Sequence, residues 1–266
     1  MVRIAVAGAA GRMGGRIIHT IAANDRAELA GAFDAPANPK VGQSIAEVVG
    51  LAGAEGVIGD DVGQALSGAD VLVEFTAPEA TLNNLAKAAG AGKAMVIGTT
   101  GLDAAQQEEI KKWAAKIPVV YAPNMSVGMN LMFKLAGMIA LVLGEGYALE
   151  LVEAHHDQKK DAPSGTALML GEAAAEGRGV SLDEVADRGR DGITGARERG
   201  HIGFSAIRGG DIVGEHDVIF AADGERIVLR HIATDRRIFA RGALRAALWG
   251  QNMHPGEYDM VDVLGL

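Results

Sequence analysis

The feature that most constrains this chain is the strand–turn–helix at its start. An apolar run, Val2 to Ala7, ends in Gly8-Ala9-Ala10-Gly11-Arg12-Met13-Gly14, and a helical pattern follows with Met13, Ile17, Ile18 and Ile21 on one face. The spacing G-x-x-G-x-x-G is a variant of G-x-G-x-x-G. Gly8 and Gly11 let the backbone turn and approach a pyrophosphate, and Gly14 lets helix and strand pack closely. The helix N-terminus then points unpaired N–H groups at the phosphates. Alone the motif is weak, because a glycine turn can be purely structural. It gains weight from Asp34, twenty residues past Gly14 at the end of the next apolar run, Ala27 to Phe33. An acid there receives the ribose hydroxyls and repels a 2′-phosphate. Ala35 and Pro36 follow it, so Arg12 is the nearest candidate cation. NADH is therefore expected to serve better than NADPH.

The alternation continues. Asp70 to Phe75 reads as a strand, Pro78 opens a helix to about Ala89, and Ala94 to Ile97 is a strand ending in Gly98-Thr99-Thr100-Gly101. Asp103 to Lys116 is helical, and Pro118 to Tyr121 is a strand ending in Ala122-Pro123-Asn124-Met125. Short apolar strands between helices imply a parallel sheet covered on both faces, with ligands at the C-terminal strand ends. Gly98, Thr99 and Thr100 stand at such an end, although a plain Gly/Thr turn reads equally well. Ala122 to Met125 occupy the corresponding place, towards the nicotinamide.

The rhythm changes after about Pro123. A long apolar helix is expected over Val127 to Leu143, a strand over Tyr147 to Ala154, and a short helix from about Ser164. The stretch from Gly177 to Gly200 reads as a mobile loop. Three strands follow near Ile202–Ile207, Ile212–Phe220 and Glu225–His231, linked by Arg208-Gly209-Gly210-Asp211 and Ala222-Asp223-Gly224, which read as hairpin turns. A last amphipathic helix covers about Arg236 to Trp249. The domain boundary falls near residue 125.

Composition narrows the function classes. The formal charge of −9 argues against a non-specific nucleic-acid binder. The lack of cysteine excludes disulfides, thiolate metal sites and a cysteine-dependent acylating dehydrogenase. No apolar run is expected to reach the roughly 18 residues of a membrane span, and no signal peptide is read at the start, so a cytoplasmic protein is expected.

The richest segment is Glu153-Ala154-His155-His156-Asp157-Gln158-Lys159-Lys160-Asp161-Ala162-Pro163-Ser164-Gly165-Thr166-Ala167. Delivering hydride to a conjugated or imine-like carbon leaves negative charge that a proton must neutralise, and an imidazole beside an ammonium group can supply it. Ser164-Gly165-Thr166 opens a helix and offers N–H groups and hydroxyls to a carboxylate. Taken singly, the lysines read as solvated charges and Ser164 as an N-cap. The adjacent histidines lack a third ligand at zinc-like spacing, so no metal is expected. Together, beside a dinucleotide domain, they read as a catalytic site.

His155 to Ala167 resembles the signature H-H-x-x-K-x-D-A-P-S-G-T-A of the 4-hydroxy-tetrahydrodipicolinate reductase family. The resemblance extends to the glycine turn, Phe75-Thr76-Ala77-Pro78-Glu79, Val96 to Gly101, Asn124 to Gly128, Gly210 to His216 and Ala246-Ala247-Leu248-Trp249. It implies an α/β chain: an N-terminal Rossmann domain over residues 1–125, joined by the C-terminal segment 236–266, and a C-terminal α+β domain over 126–235 with an open mixed sheet that forms a homotetramer. It implies reduction of a small dicarboxylate with NADH or NADPH, in lysine and diaminopimelate biosynthesis. It also implies that His155 is the acid/base residue, that Lys159 donates the proton, that His156 contacts substrate, and that Gly165 and Thr166, beside Ser164, hold a carboxylate. The implied cofactor residues are Gly8, Ala9, Ala10, Gly11, Arg12, Met13, Asp34, Gly98, Thr99, Thr100, Ala122, Pro123, Asn124 and Met125. One departure stands out: some members place Arg just after the acid, where this chain has Ala35. Two alternatives are another two-domain reductase and a dinucleotide sensor built on a dead reductase. The sensor would be expected to have lost the His/Lys pair.

Overall fold

The computed structural model describes residues 1–266, which divide into two compact units. The first comprises Met1–Val127 and Arg237–Gly265, the second Gly128–Arg236 with Leu266.

The first unit alternates strand and helix. Its elements are β1 (Val2–Ala7), α1 (Arg12–Ala22), β2 (Ala27–Phe33), α2 (Ile45–Val49), α3 (Val62–Ser67), β3 (Val71–Glu74), α4 (Pro78–Gly90), β4 (Ala94–Ile97), α5 (Ala104–Ala114) and β5 (Pro118–Tyr121). The short helices α2 and α3 are additions to the sequence reading. All pairings are parallel, and the strand order is β2, β1, β3, β4, β5 and then a short C-terminal strand, Gly256–Tyr258. The period-2 geometry of a strand sorts its side chains between two cores. Ile4, Val6, Val71, Val73 and Val96 face one core, with α1; Ala5, Ala7, Leu72, Met95 and Ile97 face the other, with α4 and α5. That is why these strands read as continuous apolar runs. Local signals set the helix starts: Pro78 stands at the first turn of α4, and Asp103 with Gln106 forms a capping box on α5.

The second unit is built differently. Its elements are α6 (Val127–Leu143), β6 (Ala148–His155), α7 (Gly165–Arg178), α8 (Leu182–Val185), β7 (Ala186–Asp187), β8 (Ile202–Arg208), β9 (Gly214–Ala222) and β10 (Glu225–Ala233). The sheet order is β10-β9-β6-β8-β7, open and mixed. Strand β8 runs parallel to β6 and β7, while β9 runs antiparallel to β6 and β10. Both long helices pack on one face, where Met132, Phe133, Ala136, Leu170 and Ala174 meet Leu149, Leu151, Phe204, Val218 and Phe220. The C-terminal elements α9 (Arg237–Gly250), β11 (Gly256–Tyr258) and α10 (Met260–Leu264) belong to the first unit, β11 pairing with β5.

Four expectations need correction. The link after β8 is not a hairpin, because β6 lies between β8 and β9. A turn-like composition does not say whether a chain doubles back or steps over a neighbouring strand. Helix α7 is fourteen residues, not short; its many Ala and Gly residues leave little apolar periodicity to read. The 177–200 stretch contains α8 and β7, and two of its arginines are tied to one acid: Arg190 and Arg197 both pair with Glu150, at 2.9 and 2.7 Å. Helix α6, continued by a 3-10 turn to Gly146, makes 20 residues long and apolar enough to cross a membrane by length and composition. Here Met129, Met132, Phe133, Ala136 and Ala140 bury one face in the core of the unit.

Candidate active site

In the first unit every strand of the parallel sheet ends at the same edge, and the predicted dinucleotide residues all lie along it. Gly8 has φ 63°, a conformation few side chains tolerate, and a Cβ on Gly14 would lie 2.2 Å from the carbonyl oxygen of Gly8. Glycine at both positions is thus dictated by the turn itself. No side chain caps α1, whose N-cap is Gly11, so the N–H groups of its first turn meet no side-chain acceptor and suit an anion. Asp34, at the end of β2, accepts from Ala10 N at 3.0 Å and from Ala35 N at 2.8 Å, which fixes its carboxylate beside the turn. These features fit a dinucleotide. Lys40, absent from the sequence reading, brings its Nζ to 3.5 Å from the Ala10 carbonyl oxygen.

A buried carboxylate organises two of the loops on this edge. Glu74 accepts from Asn84 Nδ2 at 2.6 Å, Thr81 Oγ1 at 3.1 Å and Thr99 Oγ1 at 3.2 Å, and also from the Thr76 hydroxyl. Thr99 Oγ1 in turn accepts from Thr76 N at 2.9 Å. The loops after β3 and β4 are thereby tied together. The side chains of Ala9, Thr99 and Met125 are buried, so they offer a ligand only their backbones as they stand, whereas Arg12, Thr100 and Pro123 are exposed. Gly98 is a packing glycine, since a Cβ there would stand 2.2 Å from the Phe75 ring.

In the second unit the catalytic segment leaves the C-terminal end of β6. The link between β8 and β9 wraps that end: Gly209 N donates to the His155 carbonyl at 2.9 Å, and His156 N to that of Ile212 at 2.8 Å. Glu153, 2% exposed, is the hub. Its Oε2 accepts from His155 Nδ1 at 2.6 Å and Arg208 Nη1 at 2.8 Å; its Oε1 accepts from Arg208 Nη2 at 2.7 Å and Ser164 N at 3.0 Å. Burial works to raise the Glu153 carboxyl, but Arg208, His155 and the Ser164 N–H outweigh it and hold it below the usual carboxylate range.

A carboxylate only accepts, so His155 Nδ1 carries the hydrogen and Nε2 is left as the basic nitrogen. Burial pushes the His155 pKa down, against the pull of Glu153, which favours the neutral imidazole at neutral pH. Behind it lies His216, edge-to-face at 5.2 Å between ring centres, with its Nε2 3.2 Å from Ser164 Oγ. Burial, then the neighbouring His155, drives His216 down to about 4. His156 Nε2 meets Arg236 Nη2 at 3.2 Å; a guanidinium only donates, so this nitrogen accepts. Lys159 Nζ pairs with Asp161 at 2.9 Å, whereas Lys160 is exposed. Ser164 caps α7 by accepting from Ala167 N at 3.2 Å, and the exposed Gly165 opens that helix's N-terminus.

The family descriptions "Dihydrodipicolinate reductase, N-terminus" and "Dihydrodipicolinate reductase, C-terminus" match residues 2–125 and 128–264. The chain belongs to the dihydrodipicolinate reductase family. It is 58% identical over 263 residues to the 4-hydroxy-tetrahydrodipicolinate reductase of Ruegeria sp. (strain TM1040), covering 99% of this chain and 98% of that one. It is 52% identical over 266 residues to that of Thiobacillus denitrificans (strain ATCC 25259 / T1), covering 100% and 99%. The solved dipicolinate-bound dihydrodipicolinate reductase from Paenisporosarcina sp. TG-14 superposes with a TM-score of 0.77 at 25% identity, over 98% of each chain.

The sequence reading gave no role to Glu153, Arg208, His216, Arg236, Lys40 or Glu74. Glu153 lies in the segment with the two histidines, His216 at the end of Gly210 to His216, Arg208 in a turn, Glu74 in a strand and Arg236 at a helix start, and none of these settings marks a role. Strand pairing brings Arg208 and His216 to the segment: β6 and β8 set His155 against Arg208, and β6 and β9 set Glu153 against His216.

Proposed function

We propose that this chain reduces 4-hydroxy-tetrahydrodipicolinate to tetrahydrodipicolinate with a nicotinamide dinucleotide, in the cytoplasmic route to diaminopimelate and lysine. The observation that carries this reading is the single segment in which an oriented imidazole (His155), an ammonium group (Lys159) and a helix N-terminus (Gly165) stand together. The dinucleotide supplies hydride when bound. Gly8 to Met13 hold its pyrophosphate, Asp34 its ribose hydroxyls, and Gly98 to Thr100 with Ala122 to Met125 its nicotinamide half. The exposed backbone of Gly165, with Thr166 and Ser164 beside it, receives one substrate carboxylate; His156 and Arg236 add polar contacts. The 4-hydroxyl leaves as water, Lys159 donates the proton that balances hydride addition, and His155 supports that transfer through its basic Nε2. Oxidation of NADH in an assay fed by the synthase that makes this substrate tests the reading; dinucleotide binding without turnover would overturn it.

Cofactor choice follows from the residues at the end of β2. Asp34 disfavours a 2′-phosphate and Ala35 gives it no partner, while Lys40 offers partial compensation. The expected result is a higher kcat/KM for NADH than for NADPH, with Lys40→Ala lowering NADPH use further. A clearly higher kcat/KM for NADPH in the wild-type protein would refute it.

Assembly as a homotetramer is the second part of the proposal. Both long helices of the second unit cover one face of its sheet, and the other face carries Ile207, Val228 and Ile232, each about half exposed at 53, 50 and 49%. Apolar side chains left uncovered on a sheet face favour burial against another copy. Light scattering at micromolar concentration is expected to give the tetramer mass, and Val228→Lys with Ile232→Lys to lower it. A monomeric wild-type protein would end the idea.

A further inference from the structure

A concavity that the dinucleotide and substrate residues do not line lies within the first unit, away from the glycine turn. It is a groove of about 1070 Å³ between the C-terminal half of α1 and one face of α9. Along α9, Arg237, Arg241 and Arg245 recur at four-residue intervals, and Trp249 continues the row. Arg26, His19 and Asn24 form the facing wall, and Leu244, Leu248, Met253 and Val263 add apolar surface.

Three observations mark the groove as more than a solvated face. Cations four residues apart on a helix repel, so a row of three is maintained against a cost. The chain carries an excess of acids, with a net charge of −9, yet no carboxylate lines the groove. Asp262, the acid next to Val263 in sequence, is turned to the backbone N–H of Asp259 at 2.9 Å. Finally, Arg26, Arg241 and Arg245 form no ion pair within the chain. Their guanidinium forks are left to face an external anion.

The geometry points to a second ligand site here, for a small molecule that carries an oligophosphate. The planar forks of several arginines match phosphate oxygens two at a time. The volume is that of a nucleotide-sized ligand rather than a single oxyanion. Trp249, partly exposed and held edge-to-face on Tyr258 at 5.0 Å, with Leu248 beside it, gives a flat apolar end for a ring. The site is separate from the dinucleotide cradle. Arg26 directly precedes β2 and Asp34 directly follows it, so the two lie at opposite edges of the sheet, about 23 Å apart for seven residues of strand.

The test is calorimetric titration of inorganic tripolyphosphate, and separately of ATP, into the full chain with saturating NADH, which keeps the glycine turn filled. One saturable event per chain is expected for tripolyphosphate. Its Kd should rise roughly tenfold or more in the Arg241→Ala/Arg245→Ala double variant, with NADH turnover and Tm unchanged. Tighter binding of ATP that is lost in Trp249→Phe would show that the natural ligand carries a ring. Equal binding of the two probes would assign the site to the oligophosphate alone. No saturable binding, binding seen only when NADH is absent, or a Kd indifferent to the double substitution would each overturn the proposal.

Discussion

Lys159→Ala is expected to lower kcat by roughly 10²-fold or more, the scale of a lost general acid, while the affinity for NADH stays near that of the unaltered protein. Lys159 is only 21% exposed, and its ammonium is 2.9 Å from Asp161. Burial works to raise the Asp161 carboxyl, yet Lys159 and nearby backbone N–H groups hold it below the usual range, so the anion persists as a counter-charge. Lys159 N donates to the His156 carbonyl at 3.2 Å, which anchors the turn that carries the ammonium. The cradle residues Gly8, Gly11 and Asp34 belong to the other compact unit and are untouched by the substitution. Lys160→Ala is the internal control, because that side chain is an exposed neighbouring charge. Steady-state turnover and fluorescence titration of NADH on both variants decide the matter. Equal losses in the two would unseat Lys159 as the proton donor, and full turnover in both would remove the segment from the chemistry.

The sequence spoke most clearly where contacts are local. Strands β1 to β5 are short and buried on both faces, so each appears as an apolar run between helices whose starts carry their own signals, such as Pro78 and Asp103. The glycine turn and Asp34 follow from conformational demands within about one βαβ unit. Serial spacing also put His155, Lys159 and Ser164 on one segment. What stayed hidden depends on pairing between distant residues. Arg208 reaches Glu153 across 55 positions and Ser164 meets His216 across 52, both through the register of β6 with its neighbours. Strand order is hidden for the same reason: the turn-like Gly209-Gly210 suits a hairpin, whereas the chain steps over β6 instead. Lys40 and Glu74 escaped for a similar reason: neither sits in the glycine motif, and each reaches a loop end through tertiary packing.

Replacing the buried hub tests whether those distant contacts matter. Glu153→Gln keeps the size of the side chain but exchanges one accepting oxygen for a donating NH2 group. Four donors converge on the carboxylate, two on each oxygen, so no placement of the amide satisfies them all. With the NH2 towards His155, Nδ1 must accept, the ring hydrogen moves to Nε2, and the basic nitrogen is lost. With the NH2 on the other side, Arg208 and Ser164 N lose their acceptor. Either outcome leaves the guanidinium short of a counter-charge, at about 3–5 kcal/mol for a broken buried pair. Turnover is expected to fall by roughly 10²-fold, as for a misplaced acid/base group.

The pH dependence separates this account from a simple loss of packing. Glu153 has a folded pKa below its ordinary 4.5, so its contribution to stability is complete above about that pH and is lost as pH falls through the lower folded value. His155 and His216 are held below 6.5 by burial, so both resist protonation in the folded state and stability declines as pH falls below 6.5. Urea melts of the unaltered protein should therefore weaken from about pH 6.5 downward and more steeply below 4.5. In Glu153→Gln the lower part of that decline should be shallower, because no carboxylate remains there to be protonated, while the histidine part persists. Unchanged turnover together with an unchanged acid slope would mean that Glu153 neither orients His155 nor titrates with the fold.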